Sequence, residues 1–179
     1  MKRRSLFKWT TVTLGFLFSG RVSWSKTYLT VDQARKMLWG DEESFRPADV
    51  DLTKDQMKAI RKASRVRVRN SQIKAWRTSS GGWFILDQVI GKHENIDLAV
   101  ALTAEGKVKG VEVLVYRETY GHQIMNPKWR AQFTGRDHSA PMRLDKEIKN
   151  ISGATLSCRH VADGLQRLCH TWNLVLRAL

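Results

Sequence analysis

Ser152-Gly153-Ala154-Thr155, followed by Leu156 and Ser157, places three hydroxyls among residues with almost no side chain. The stretch lies at the start of the last helical pattern in the chain. A helix N-terminus gathers unpaired backbone N–H groups and the positive end of the dipole, so this is a ready site for an anion such as phosphate. The same residues would also serve as a plain loop and cap. Other chemistry is poorly supported. The five histidines, His93, His122, His138, His160 and His170, form no HExxH or other close ligand pair, so no metal site is expected. His160 is five residues beyond Thr155, about 140° round a helix. The two do not face each other, which argues against a hydrolase and leaves no catalytic residue to name.

A phosphate site suits the bulk charge. The chain has 31 Lys+Arg against 17 Asp+Glu, a net charge of +14. Residues 1–25 hold five basic residues and no acids, and without them 26 against 17 leaves +9. Such a balance favours an anionic partner: a membrane surface, an acidic protein or a phosphorylated ligand. Only Arg61 to Arg69 forms a basic run, and no nucleic-acid signature is present, so nucleic acid is not expected as a partner. The length of 179 residues suggests one domain, and 42% apolar with 27% charged residues is ordinary globular composition. Cys158 and Cys169 are about three helical turns apart, too far for a disulfide within one helix, and read as buried fillers.

Residues 1–25 read as an export signal. Lys2, Arg3, Arg4 and Lys8 precede a twelve-residue, mostly apolar stretch from Trp9 to Gly20, and Ser23 and Ser25 are spaced for cleavage before Lys26. Arg3-Arg4-Ser5-Leu6-Phe7-Lys8 resembles a twin-arginine signal. The expectation is a periplasmic protein, with an uncleaved membrane anchor as the alternative.

Several elements must position the motif. Residues 26–65 form an N-terminal helical segment. Thr30 caps a first helix that Gly40 stops, and Thr53 caps a second with Met57, Ile60 and Ala63 on one face. Between them, Asp41–Val50 reads as a loop. From residue 66 the period becomes two. Ile73 and Ala75 share a side, Trp83–Ile90 has strand composition, and Ile96 to Leu102 alternates, as do Val111, Val113 and Val115. Ala104–Lys107 makes the hairpin turn, with Gly106 where positive φ is needed. A short helix follows, with Asn126 as cap, Pro127 at its first position, and Trp129 and Phe133 on one face. The last helix runs from Thr155 to the C-terminus with a core stripe of Cys158, Val161, Leu165, Leu168, Trp172, Val175 and Leu179. Gly164 within it would permit close approach of a neighbour. The fold class is α+β: an antiparallel twisted sheet with helices on one face, the long C-terminal helix and shorter ones packed on it.

Two segments carry a family likeness. Ser152-Gly153-Ala154-Thr155 resembles the "SGAT" attachment motif of the FMN-binding domain family, which includes flavin-bearing components of the sodium-translocating NADH:quinone reductase and of the Rnf complex. Upstream, Glu118-Thr119-Tyr120-Gly121, followed by His122, resembles the family's "ETPG" loop, with Tyr120 in place of the proline. Trp129 to Phe133 is similar to the Trp-Phe helix that follows that loop. The likeness covers Ile73 to Leu176 and places the domain at residues 66–179. It departs at Lys149, where the family has an acid six residues before the threonine.

The resemblance implies FMN as the cofactor. In the family a flavin transferase, working with FAD and magnesium, joins the FMN phosphate to the threonine hydroxyl, which here is Thr155. It further implies that Gly153 and Ala154 leave room for the phosphate, and that the 118–122 loop lies against the flavin ring, where Tyr120 or His122 would stack or hydrogen-bond. The implied protein is an exported electron-transfer relay, one part of a redox system rather than a stand-alone enzyme. Its partners would be the transferase and a membrane redox complex or cytochrome, with membrane-surface association also open. The alternative keeps the fold as a noncovalent FMN-binding or sensory module.

Overall fold

The structure, a computed structural model, describes residues 26–179; the export-signal expectation for residues 1–25 lies outside them. Alternating sequence builds an antiparallel meander of β4 (Gln72–Thr78), β5 (Trp83–Ile90), β6 (Asn95–Leu102) and β7 (Val108–Tyr116). Short strands extend both edges. β1 (Lys26–Thr27) pairs with β7, while β2 (Phe45–Pro47) and β3 (Val50–Asp51) pair with β4. The spatial order is β1-β7-β6-β5-β4-β2. The stretch expected as a loop at residues 41–50 thus contributes two edge strands, each too short to show a period.

Both faces of the sheet are covered, where periodicity had placed helices on one. On one face α1 (Val31–Trp39) shares a core of Ala34 and Leu38 with Phe84, Ala99, Ala101 and Leu114. On the other, α2 (Lys54–Ser64) and α4 (Thr155–Leu174) join Ile60, Val161, Leu165 and Leu168 to Ile85, Leu98, Val100 and Val113. The sign of this was consecutive burial: Trp83, Phe84 and Ile85 are all inside, as in a strand sandwiched between two layers. Thr30 and Thr53 make full capping boxes with Gln33 and Gln56. In α2 the residue that follows Ile60 inward is Ser64, and Ala63 is exposed, because 3.6 residues per turn carries position 64 onto the Met57–Ile60 face.

The α4 stripe holds through Leu168, with Trp172 half-buried. The helix then ends at Leu174 and the chain tightens into a 3-10 turn, which leaves Leu179 67% exposed. Val175, just past the helix end, is still buried as the spacing predicts, and Leu179 is the stripe residue that departs from it. Gly164 does permit close approach: a Cβ there would lie 2.7 Å from Val89 Cγ1. Gly106, at φ +78°, turns the β6–β7 hairpin beneath the Trp172 ring, which a Cβ would meet at 2.1 Å. Both cysteines are free and buried, and burial pushes the Cys169 thiol up to about 12.

His170 of α4 lies 6.0 Å from His138, ring centroid to ring centroid. Burial, and then the neighbouring His138, hold His170 below the ordinary histidine value. Above about pH 6.5 the ring is neutral in folded and unfolded chains alike. Below it the unfolded chain takes up the proton first, so stability falls as pH falls. The urea midpoint is expected to drop between about pH 7 and about pH 5.5, and His170→Asn to flatten that slope.

Candidate functional site

A bulge in the β6–β7 ladder starts the site. Leu98 pairs with Val113 and Asp97 with Val115, so Leu114 is the extra residue. The expected Val111–Val113–Val115 face therefore breaks: Val115 sits with the α1 core, while Tyr116 joins Val111 and Val113 in the α4 core. Bulges re-aim side chains in this way. The re-aimed Tyr116 hydroxyl donates to the Tyr120 carbonyl and lies 3.1 Å from Ser157 Oγ in α4. Burial pushes the phenol up, so it stays a neutral donor. Tyr116 thus joins the two candidate motifs.

Gly121 makes the joint tight. At φ +91° its Cα faces the contact, and a Cβ would lie 2.5 Å from the Tyr116 hydroxyl, 3.2 Å from Ser157 Oγ and 3.6 Å from Ala154 Cα. Gly121→Ala combines a strained φ with this overlap, and is expected to cost about 2 kcal/mol in urea unfolding. The sequence motifs, about 30 residues apart in the chain, are in direct contact.

The short helix after the loop grips the other motif. Asn126 caps α3 (Pro127–Arg130) through Lys128 N, and Trp129 packs edge-on to Phe133 at 5.2 Å. Trp129 Nε1 donates to the Lys149 carbonyl at 2.7 Å, and Gln132 Oε1 accepts from Lys149 N at 2.8 Å. The Lys149 backbone is thereby fixed while its side chain stays exposed. Buried Arg130 ties the same helix to β7, donating to the Val111 carbonyl at 2.8 Å and the Met125 carbonyl, and pairing with Glu112 at 2.6 Å.

Beyond Lys149, Asn150 Oδ1 accepts from Ile151 N at 2.8 Å and Asn150 Nδ2 donates to Thr155 Oγ1 at 3.2 Å. Gly153 turns the chain at φ +81° with open space around it. Helix α4 begins at Thr155, and no side chain caps it. The first intrahelical bond runs from Cys158 N to the Ala154 carbonyl at 2.9 Å. The plain capping role open to Ser152 and Thr155 is therefore not what they perform. The N–H groups of the first turn remain without a side-chain partner, beside a half-buried Thr155 hydroxyl. That arrangement fits a phosphate monoanion or diester.

The expected site residues divide by orientation. Ser152, Gly153, Leu156, Thr119, Tyr120 and His122 are largely exposed, Tyr120 at 80%. Gly121, Ala154 and Ser157 are buried in the contact between the motifs. Glu118 turns away and braces the β5–β6 turn, accepting from His93 N at 2.5 Å and Glu94 N at 3.0 Å. Although burial works to raise its pKa, the backbone donors Glu94, His93 and Lys92 prevail and hold it below the usual carboxylate range. Sequence reasoning missed Tyr116, Asn150, Gln132 and Arg130. Asn150 alone left a signal, a side-chain amide next to the small-residue motif. Among the described residues no group of three or more His, Cys, Asp or Glu could hold a metal ion.

Comparison with known proteins bears on this region. Residues 91–170 match a family model described as the FMN-binding domain. No curated protein matches the chain.

Proposed function

From the match of residues 91–170 to an FMN-binding domain model, we propose that the chain is an electron-transfer flavoprotein whose FMN is joined through its phosphate to Thr155 Oγ1. The pyrophosphate bond of FAD breaks and AMP leaves as the new phosphoester forms. What carries the reading is the uncapped first turn of α4, with the Thr155 hydroxyl at its first position, held by Asn150. The helix N-terminus would offset the charge that a phosphodiester keeps. Open space at Gly153 leaves the hydroxyl approachable. The exposed Tyr120 ring on the adjoining loop offers a stacking surface for an isoalloxazine. The cofactor would supply one- and two-electron chemistry; the protein supplies attachment, orientation and electrostatics.

The wider circuit follows as part of the same proposal. An export signal at residues 1–25 would place the protein in the periplasm, where a flavin transferase modifies it. A membrane redox complex or a cytochrome would exchange electrons with it. The test is production with a flavin transferase, FAD and magnesium, followed by acid precipitation. Yellow colour in the pellet and a peptide containing Thr155 carrying FMN are expected. Colour released to the supernatant would favour the second reading, a noncovalent FMN-binding or sensory module. That reading is motivated by Lys149, whose exposed cation stands where the family has an acid.

A further inference from the structure

Between Asp55 and Asp87 the chain has no acidic residue. Lys58 in this stretch pairs with Asp55 at 3.1 Å, and Arg77 lies over the Trp83 ring at 4.9 Å. Arg61, Lys62, Arg65, Arg67, Arg69 and Lys74 are exposed and make no ion pair with the described residues. Isolated surface cations are ordinary, but these are ordered by the backbone. After the left-handed C-cap of α2 at Arg65, the chain alternates: Val66 half-buried, Arg67 exposed, Val68 buried, Arg69 exposed. Among the described residues, Arg67, Val68 and Arg69 make no backbone hydrogen bond. This short stretch flanks an open cleft of about 1270 Å³, with His160 and Asp163 of α4 also lining it.

We propose that the Arg65–Asn70 segment is a docking edge for an acidic, extended segment of a partner protein. The incoming chain adds as a strand along Arg67–Arg69, supplying the backbone partners this stretch lacks, and sets alternate carboxylates against the two guanidinium groups. Strand addition draws affinity from main-chain bonds and specificity from alternate side chains. The two-residue repeat of an extended chain, roughly 6.5 Å, matches on both sides. Arg and carboxylate form strong charge-assisted bonds.

Other occupants fit less well. Residues 1–25 carry five basic residues and no acids, so they have no carboxylate to set against these guanidinium groups. A lipid bilayer presents a plane of headgroups, whereas this edge borders a concave cleft. In a second copy, two of the three acids of the run Asp41-Glu42-Glu43 are already engaged, Asp41 with Lys36 and Glu43 with Ser79 and Ser80, which leaves only Glu42 of that run and no alternate pair of carboxylates to offer. Docking at this edge does not depend on the flavin assignment.

Fluorescence anisotropy on the full chain at low salt, with a labelled peptide of alternating Glu and Val, tests it. The peptide is expected to bind at least about tenfold more tightly than an alternating Gln and Val peptide, and to weaken steeply with salt. Arg67→Glu/Arg69→Glu should lose that advantage while melting like the parent, since both side chains are exposed. Hydrogen exchange should slow on binding at alternate amides of residues 67–69, those that face the incoming strand. Equal binding by the charge-reversed variant, or unchanged exchange at those amides, would overturn the proposal. So would an Arg67/Arg69-dependent attachment to phosphatidylglycerol vesicles without peptide binding, or an Arg67/Arg69-dependent dimer in ultracentrifugation.

Discussion

Thr155→Ala is expected to abolish covalent flavin altogether while leaving the fold in place. The side chain is half-buried, and its one hydrogen bond is from Asn150 Nδ2 at 3.2 Å. Losing that bond costs about 1 kcal/mol. No other hydroxyl can substitute. Ser157 is buried against Tyr116, and exposed Ser152 lies before the Gly153 turn, outside the helix. Intact-protein mass after production with the transferase should read the unmodified chain for Thr155→Ala and the FMN adduct for Thr155→Ser. Adduct on Thr155→Ala would place the bond elsewhere. Asn150→Ala keeps the hydroxyl but frees its rotamer, so modification should slow without a change in the final mass.

Arg130→Ala carries the largest expected stability effect, about 3–5 kcal/mol, because it leaves a largely buried Glu112 carboxylate unpaired. Arg130 is 8% exposed and its guanidinium satisfies three acceptors at once. Truncation removes all three bonds and opens a gap between α3 and β7. Urea unfolding of Arg130→Ala should show the full loss. Arg130→Met/Glu112→Met removes both charges and should recover part of it, short of parent stability because the Val111 and Met125 carbonyls still lack their donor. The effect should reach the site. The 3-10 turn at His122–Met125 connects α3 to Gly121, so flavin incorporation by Arg130→Ala should fall even at temperatures where it remains folded. A loss under about 1 kcal/mol would show that the pair is solvated in solution.

Much of this protein is legible from local patterns. Capping boxes at Thr30 and Thr53, the Gly106 turn, the Asn126-Pro127 helix start and the α4 stripe through Leu168 all follow from residue type and spacing. Each is decided within about four residues of chain, where propensity and hydrogen-bond geometry act. The α+β class follows from the order of these elements. Both halves of the candidate site are likewise visible, since small residues at a helix start and a glycine-bearing loop are local features.

What joined the halves was not local. The alternation of Val111, Val113 and Val115 reads straight through, because Val113, Leu114 and Val115 are all apolar and the one-residue insertion at Leu114 leaves no mark. Pairing with β6 is what forces the bulge, and the bulge turns Tyr116 toward Ser157. The second covering layer on the sheet, the inward turn of Glu118 to the 91–94 backbone and the Arg130–Glu112 pair share that origin. The sequence by itself determined the main helices, the four meander strands and the two motifs, but not the short edge strands at 45–47 and 50–51, which exist only by pairing with β4. Tertiary structure alone decided that the motifs touch, because register, face and the partners of buried polar groups are set by residues distant in the chain.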